Sequence, residues 1–320
     1  MRCVVTGGAG FIGSTLTDRL VGDGHEVVAI DVLSDYYDVG AKLRNVQGFV
    51  DHGAEFVHAD LNTVDLAPLL DGVDAVFHLA GQPGVRKSWG SDFAVYSENN
   101  VNATQRLLEA CVGRDLKRFV YSSSSSVYGR AERYPTLETD LPAPFSPYGV
   151  TKLAGEHLAQ LYGDNHGVPT VSFRFFTVYG PRQRPDMAFA RFLRAAVTGE
   201  PISIYGDGRQ VRDFTYVGDV VDALLLAALP SGDLPRVMNL AGGTSISVAD
   251  VLDLIEDVSG SRLDIRHLPK VDGDVPRTGG SIERATAALG WTPATSLRDG
   301  LSRHLEWVMA EQRAATAEAR

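Results

Sequence analysis

At 320 residues the chain is long enough for one large domain with a smaller lobe. With 44% hydrophobic and 22% charged residues it has an ordinary globular composition. A formal net charge of -10 argues against nucleic acid or an anionic membrane as main partner, because both call for basic surfaces.

Met1 runs directly into an apolar strand, Cys3-Val4-Val5-Thr6, that ends in the spaced glycines Gly7, Gly10 and Gly13. Gly7 permits the tight turn, Gly10 lets backbone approach a pyrophosphate, and Gly13 lets the next helix pack closely. That helix is predicted from Phe11 to about Val21, with its first amides, at Phe11 and Ile12, toward the phosphate. A second buried strand, His25 to Asp31, ends in an acid 18 residues beyond Gly13. A carboxylate there accepts bonds from ribose hydroxyls and repels a 2′-phosphate, which favours NAD over NADP. Further strands are predicted at Glu55 to Ala59, Ala75 to Ala80, Arg118 to Ser122 and Pro169 to Phe176, with crossover segments between them. This alternation predicts an α/β fold, a doubly wound parallel Rossmann sheet covered by helices on both faces.

After Gly180 the elements shorten around Pro181, Pro185, Gly199, Pro201, Gly206 and Gly208, where the chain leaves the sheet to build a ligand-facing lobe. A helix is expected within Phe214 to Leu229 after a short strand, a strand at Val237 to Leu240, and an amphipathic helix from Ser247 to Val258 with Val248, Val251, Leu252 and Ile255 on one face. The tail after Glu311, rich in Ala, Glu and Arg, is expected to fray. The expected division is residues 1–176 with about 213–240 as an NAD-binding domain, and about 177–212 with 241–320 as a smaller α/β lobe that binds substrate. Cys3 and Cys111 lack framework spacing, there is no room before the first strand for a secretion signal, and no apolar run reaches membrane-spanning length. A reducing, cytoplasmic setting is expected, and the chemistry calls for no metal.

Downstream, Ser146-Pro147-Tyr148-Gly149-Val150-Thr151-Lys152 opens a helix with Tyr148 and Lys152 four apart, hence on one face. A phenol with an ordinary pKa near ~10 is a poor base at neutral pH, but a neighbouring ammonium and a positive nicotinamide ring both favour phenolate. Upstream, the strand around Tyr121 ends in the hydroxyls of Ser122 to Ser126, at the carboxyl edge where an open parallel sheet binds its ligand. A serine there can hold a substrate hydroxyl against the phenolate.

Together these segments resemble the extended short-chain dehydrogenase/reductase superfamily, and within it the nucleotide-sugar 4-epimerases. The resemblance covers nearly the whole chain: TGGAGFIG at 6 to 13, Asp31, Asp60-Leu61, His78-Leu79-Ala80, Asn99-Asn100-Val101-Asn102, the serine run, Tyr148 to Lys152, Arg174 to Gly180, and Gly206-Asp207-Gly208 to Asp213. It implies Ser124, Tyr148 and Lys152 as catalytic residues, Asp60 and Leu61 beside the adenine, Ala80 and Asn99 along the NAD, Arg212 on a substrate diphosphate, and Tyr205 near a uracil. A guanidinium suits the diphosphate because it offers a planar fork of donors. The implied chemistry is oxidation at C4, rotation of the keto sugar while its UDP stays anchored, and return of the hydride to the opposite face. Some proteins of this fold bind NAD as sensors, but those lack the catalytic tyrosine that this chain retains.

Within the superfamily, dehydratases carry an Asp-Glu pair directly after the catalytic hydroxyl, and uronate decarboxylases typically a Glu just before Val-Tyr-Gly. This chain has Ser125 and Ser126 there, which leaves epimerisation. Glucose epimerases usually show Asn where this chain has Thr177, and Arg184-Pro185-Asp186-Met187-Ala188 resembles the UDP-glucuronate 4-epimerases. A 6-carboxylate needs hydroxyl donors and a cation, and Thr177, Ser125, Ser126, Arg184 and Arg86 can supply them. For Arg184 and Arg191, surface ion pairs or contacts to uridine phosphate are the alternatives. UDP-glucuronic acid is therefore the favoured substrate, with UDP-glucose as the alternative. Many relatives carry an Arg just before the Gly-Asp-Val that here is Gly273-Asp274-Val275; this chain has Val271-Asp272, with Lys270 and Arg277 nearby. The resemblance also implies a homodimer through helices at about Asp92 to Arg114 and Tyr148 to Asp164, where Leu107, Leu108, Leu158 and Leu161 serve either the seam or the core.

Overall fold

The computed structural model describes residues 1–229, 232–269 and 276–318. The segment around Lys270 and Gly273-Asp274-Val275 lies outside the described residues.

Seven parallel strands form the central sheet. In chain order the first half comprises β1 (Arg2–Thr6), α1 (Phe11–Gly22), β2 (Glu26–Asp31), α2 (Val39–Asp51), β3 (Glu55–His58), β4 (Ala75–His78), α3 (Phe93–Ser97), α4 (Ala103–Cys111), β5 (Arg118–Ser124), α5 (Pro147–His166) and β6 (Thr170–Phe175). A π-helical turn, Glu98–Asn102, joins α3 to α4. There follow β7 (Val178–Tyr179), α6 (Ala188–Thr198), β8 (Ile202–Tyr205), β9 (Val211–Asp213), β10 (Thr215–Tyr216), α7 (Val217–Ala228), β11 (Val237–Leu240), β12 (Ser245–Ser247), α8 (Val248–Ser259), β13 (Ile265–Leu268), α9 (Glu283–Leu289) and α10 (Leu297–Glu318). The sheet runs β11-β6-β5-β4-β1-β2-β3, so strand order reverses beside β1, between β1 and β4. A crevice outside the carboxyl ends of the strands at such a switch point is where open α/β sheets bind ligands.

The sheet's strands are apolar on both faces because helices cover both. Cys3 and Val5 of β1 join Leu16, Leu20, Phe49, Phe77, Leu224 and Met238 in one buried cluster. Val4 points the other way, into a cluster with Val76, Leu107, Leu108, Phe119, Tyr121 and Tyr162. Leu107 and Leu108 are thus fully buried core within one chain, Leu158 packs partly buried against them, and Leu161 is exposed. Both cysteines are free and buried.

Beyond the large sheet the described residues make three two-stranded ribbons, β10 with β7, β12 with β9 and β13 with β8. Their shared core holds Phe189, Leu193, Phe214, Val251, Ile255 and Leu301, from α6, α8 and α10 among others. In the tail, α10 continues to Glu318. Its Ala, Glu and Arg residues are strong helix formers, and that propensity sustains the last turns. Among the described residues no helix is long and apolar enough to cross a membrane.

Candidate active site

Parallel register brings the carboxyl ends of four strands to one edge: Thr6 pairs with His78, His78 with Tyr121, and Ser124 with Phe175. A cavity opens along this edge. Its walls include Gly7, Gly10, Phe11, Ile12, Gly13, Asp31, Asp60, Leu61, Ala80, Asn99, Tyr148 and Lys152.

The glycines have different physical causes. Gly7 sits at φ +71°, and a Cβ there would come within 2.8 Å of the Ala80 nitrogen, while one on Gly13 would strike the Gly7 carbonyl oxygen. These two positions are dictated by the protein's own packing. A Cβ on Gly10 would meet only the Gly7 oxygen, at 3.1 Å, so what its absence leaves open is the cavity itself. Helix α1 starts beside it with no side-chain cap and no acidic residue in its first turn, leaving its leading amides as donors for an anion. Asp31 is held at the end of β2, one oxygen accepting from the Ala9 amide at 3.1 Å and the other from the Leu33 amide at 2.8 Å. Each oxygen keeps a second lone pair for a hydroxyl donor. A bare loop, free helix amides and a fixed carboxylate, in that order along one cavity, fit a dinucleotide.

Helix α5 begins where Ser146 accepts from the Gly149 amide and Pro147 takes the first turn. The Lys152 ammonium is buried and donates to the Ser122 carbonyl at 2.9 Å, 5.3 Å from the centre of the Tyr121 ring. Burial pulls its pKa down to about 8. Tyr148 is half-buried; burial raises its pKa, opposed by a hydrogen bond with Ser124 and by the charge of Arg184. The groups that oppose burial at Tyr148 are thus Ser124 and a guanidinium from far along the chain. Ser124 is buried at the end of β5 and accepts from the Ser126 amide at 3.1 Å.

Helix α5 is tied to the sheet by a buried ion pair. Glu156 accepts from Arg174 Nε at 3.0 Å and Nη2 at 2.6 Å, and from the Ser123 hydroxyl at 2.7 Å. Tyr148, Lys152 and Glu156 are successive turns of one helix, so this tie fixes the rotation of the helix that presents the other two.

The residues expected on the substrate side are more scattered. Arg184 lines the cavity, its Nε and Nη2 each 3.0 Å from an Asp186 carboxylate oxygen and its guanidinium 5.6 Å from the Tyr36 ring centre. Thr177 is half-buried between β6 and β7, with its carbonyl accepting from the Thr215 amide at 3.0 Å. Ser125 and Ser126 occupy the turn just after β5. Arg86 is exposed and stacks 4.6 Å from the centre of the Tyr205 ring, which joins the large domain to β8 and does not line the cavity. Arg212, in β9, donates to the Val211 carbonyl at 2.8 Å, and Arg277 bridges to Val211, the residue before it, with its guanidinium 5.2 Å from the Tyr134 ring centre. Arg191 is exposed on α6, away from the cavity lining.

Sequence reasoning missed Tyr36, Tyr37, Lys42 and Gln82, all of which line the cavity. Lys42 is buried and donates to the Ser34 carbonyl at 2.7 Å and its hydroxyl at 3.0 Å. The available signal was Asp38, whose carboxylate caps α2 through the Gly40 and Ala41 amides and so turns the first turn of that helix back toward the end of β2.

Residues 3–241 match the model of the NAD dependent epimerase/dehydratase family. The chain is 43% identical over 310 residues to an uncharacterized UDP-glucose epimerase, YtcB, of Bacillus subtilis (strain 168), covering 96% of this chain and 98% of that one. It is 36% identical to a probable UDP-glucuronate 4-epimerase of Rhizobium meliloti (strain 1021), covering 96% of each. Among solved structures, the UDP-glucuronic acid 4-epimerase of Bacillus cereus in complex with UDP-glucuronic acid and NAD superposes with a TM-score of 0.93 at 40% identity, covering 97% of this chain and 100% of that one.

Proposed function

The chain belongs to the NAD dependent epimerase/dehydratase family, and from that premise we propose that it inverts C4 of a UDP-sugar, interconverting UDP-glucuronic acid and UDP-galacturonic acid with NAD as a cofactor that is not consumed. The observation that carries this reading is the placement of Tyr148 and Lys152, four apart on α5, in the same cavity as the bare glycine loop and Asp31.

Gly7, Gly10 and the first amides of α1 hold the pyrophosphate of the NAD, Asp31 its adenosine ribose, Asp60 and Leu61 its adenine, and Ala80, Asn99 and Lys152 its nicotinamide end. When bound, the oxidised nicotinamide supplies a hydride acceptor and a positive charge. Tyr148 takes the proton of the sugar 4-hydroxyl, and Ser124 orients that hydroxyl. In the return half of the reaction Tyr148 gives the proton back. Arg212 and Arg277 anchor the diphosphate, and Tyr205 packs near the uracil, so the sugar turns while its carrier stays in place. The division of labour follows the expected domains, residues 1–176 with about 213–240 for NAD and the remainder for the UDP-sugar.

Oxidised at C4, a uronic acid is a β-keto acid, and it loses carbon dioxide when its C5–carboxyl bond aligns with the carbonyl π system. Donors fixed on the carboxylate hold that bond out of alignment. Thr177, Ser125, Ser126 and Arg184 are assigned this task, with Arg184 supported by its position in the cavity wall. We further assign a homodimer, formed over the exposed apolar face of Trp89, Phe93, Val150 and Leu161 and not through Leu107 and Leu108, which the core already uses.

The test is NMR product analysis after separate incubation with UDP-glucuronic acid and UDP-glucose, with the Tyr148→Phe variant as control. UDP-galacturonic acid from the first sugar, little product from the second, and loss of turnover with NAD retained in Y148F are the expected results. UDP-galactose as the main product would move the assignment to the glucose epimerases, and a UDP-pentose would refute the carboxylate argument.

A further inference from the structure

His78 is fully buried between the two halves of the cavity wall, and the site as described gives it no role. Its Nδ1 lies 2.7 Å from the Thr6 hydroxyl and its Nε2 2.9 Å from the Thr104 hydroxyl. Those two contacts alone leave the tautomer open. The next bonds outward close it. Thr104 Oγ1 is 2.7 Å from the Asn100 carbonyl oxygen, which has no proton to give, so the single hydroxyl proton of Thr104 is spent there. Thr104 therefore accepts from the ring, and Nε2 carries the hydrogen. Nδ1 is then the acceptor, and the Thr6 hydroxyl donates to it while itself accepting from the Ala80 amide at 3.3 Å.

The result is a chain with one proton per bond and one direction at each hydroxyl. From the ring it runs one way through Thr6 to the Ala80 amide, and the other through Thr104 to the Asn100 carbonyl. One end, Ala80, lines the cavity, and the other, Asn100, follows the lining residue Asn99 in the π-helical turn, where the Ala103 amide reaches back five residues to Glu98. The Asn100 side chain carries the connection on. Its amide oxygen accepts from the Gln82 amide at 2.6 Å, and its nitrogen donates to the Gln82 carbonyl at 3.1 Å and to the Thr151 hydroxyl at 3.0 Å. Thr151 in turn donates to the carbonyl of Tyr148 at 2.8 Å. Protonation of the ring would break the bond from Thr6 and set a second cation in the field of Lys152. The ring packs against Phe119 and Tyr121, and burial with Lys152 holds its pKa down to about 3.

We propose that His78, as the neutral Nε2–H tautomer, is a positioning residue that locks the Ala80 segment and the π-helical turn together and so fixes the nicotinamide end of the cavity against the first turn of α5. It rests on the function proposed above for what the cavity holds, but the chain of bonds is a property of the protein.

The experiment uses the NAD-loaded protein labelled with 15N-histidine, with the missing resonance in H78Q assigning His78. The Nε2–H tautomer, unchanged from about pH 5.5 to 8.5 across the range where an ordinary histidine titrates, is expected. An Nδ1–H tautomer, or a ring that titrates in that range, overturns the proposal whatever the enzyme turns over. The second arm compares His78→Leu, which fills the space and cuts both bonds, with His78→Gln, whose amide offers a donor and an acceptor. H78L is expected to lose NAD at least about ten-fold faster and, where a UDP-sugar is turned over, to lose between about ten- and a hundred-fold in kcat with KM within about two-fold, H78Q recovering most of both. Wild-type NAD retention and kcat in a folded H78L would overturn it. If H78L does not fold, the wild-type spectrum decides. If the wild type turns over neither UDP-sugar, the functional reading fails, while the spectrum and NAD release still judge His78.

Discussion

The ion pair beneath α5 offers the sharpest quantitative test. Glu156 and Arg174 expose only 1% and 4% of their side chains, and both carboxylate oxygens of Glu156 are bonded. Glu156→Gln keeps the shape and removes the charge, leaving the Arg174 cation buried and uncompensated beside the face of Tyr128, 4.7 Å away. Breaking one partner of such a pair costs about 3 to 5 kcal/mol, a large part of the roughly 5 to 15 kcal/mol that stabilises a domain. Replacing both partners is different. In the double variant Glu156→Gln, Arg174→Met no charge remains to be solvated, and the residual cost is the weakened bond to Ser123, about 1 kcal/mol. Urea unfolding of the wild type, both single variants and the double variant reads this directly, as shifts in midpoint at constant m. The coupling energy is expected to be about 2 kcal/mol or more, with the double variant more stable than E156Q. Because Tyr148 and Lys152 share that helix, E156Q should also lower kcat more than it raises KM. A cost below about 1 kcal/mol for E156Q, or a double variant equal to the sum of the singles, would refute the claim that this pair anchors the catalytic helix.

Two further predictions separate packing from ligand binding and neutral burial from charge. Gly13→Ala drives a Cβ into the Gly7 carbonyl and should destabilise the fold by about 1 to 3 kcal/mol. Gly10→Ala, at an ordinary φ of -75°, should leave stability within about 1 kcal/mol and weaken NAD at least about ten-fold by calorimetry, and full NAD retention would contradict the cradle. His304 is buried in α10 with neither ring nitrogen partnered, so His304→Leu should stabilise by about 1 to 2 kcal/mol at pH 7. Burial holds the folded ring down to about 3 against its ordinary 6.5, so below pH 6.5 the unfolded chain binds a proton that the folded chain refuses. Wild-type stability then falls with pH by up to about 1.4 kcal/mol per unit between those values, and the advantage of H304L should widen on acidification; a constant gap would show the ring is solvated.

What was legible in the sequence is what local geometry dictates. Gly7 needs a positive φ, Tyr148 and Lys152 share a helix face by spacing alone, and Asp31 must end a strand whose start and period are visible in the chain. The illegible part is whatever depends on elements meeting across the fold. Arg277 meets β9 only because it bridges to Val211, and nothing in either local sequence says so. Leu107 and Leu108 could read as seam or core until α4 was seen packed on β5 and α5.

Tyr148 shows the same division at the level of charge. Spacing places Lys152 one turn away from Tyr148 but does not say where its ammonium goes, which is to the Ser122 carbonyl at 2.9 Å. The guanidinium that does oppose burial at Tyr148 comes from Arg184, 36 positions on, carried there by β7 and the turn before α6. One cation thus faces both the base and the region assigned to the sugar carboxylate. On the proposed assignment, a carboxylate bound there would draw on the same charge that favours the phenolate, which would couple substrate recognition to the basicity of Tyr148 through Arg184.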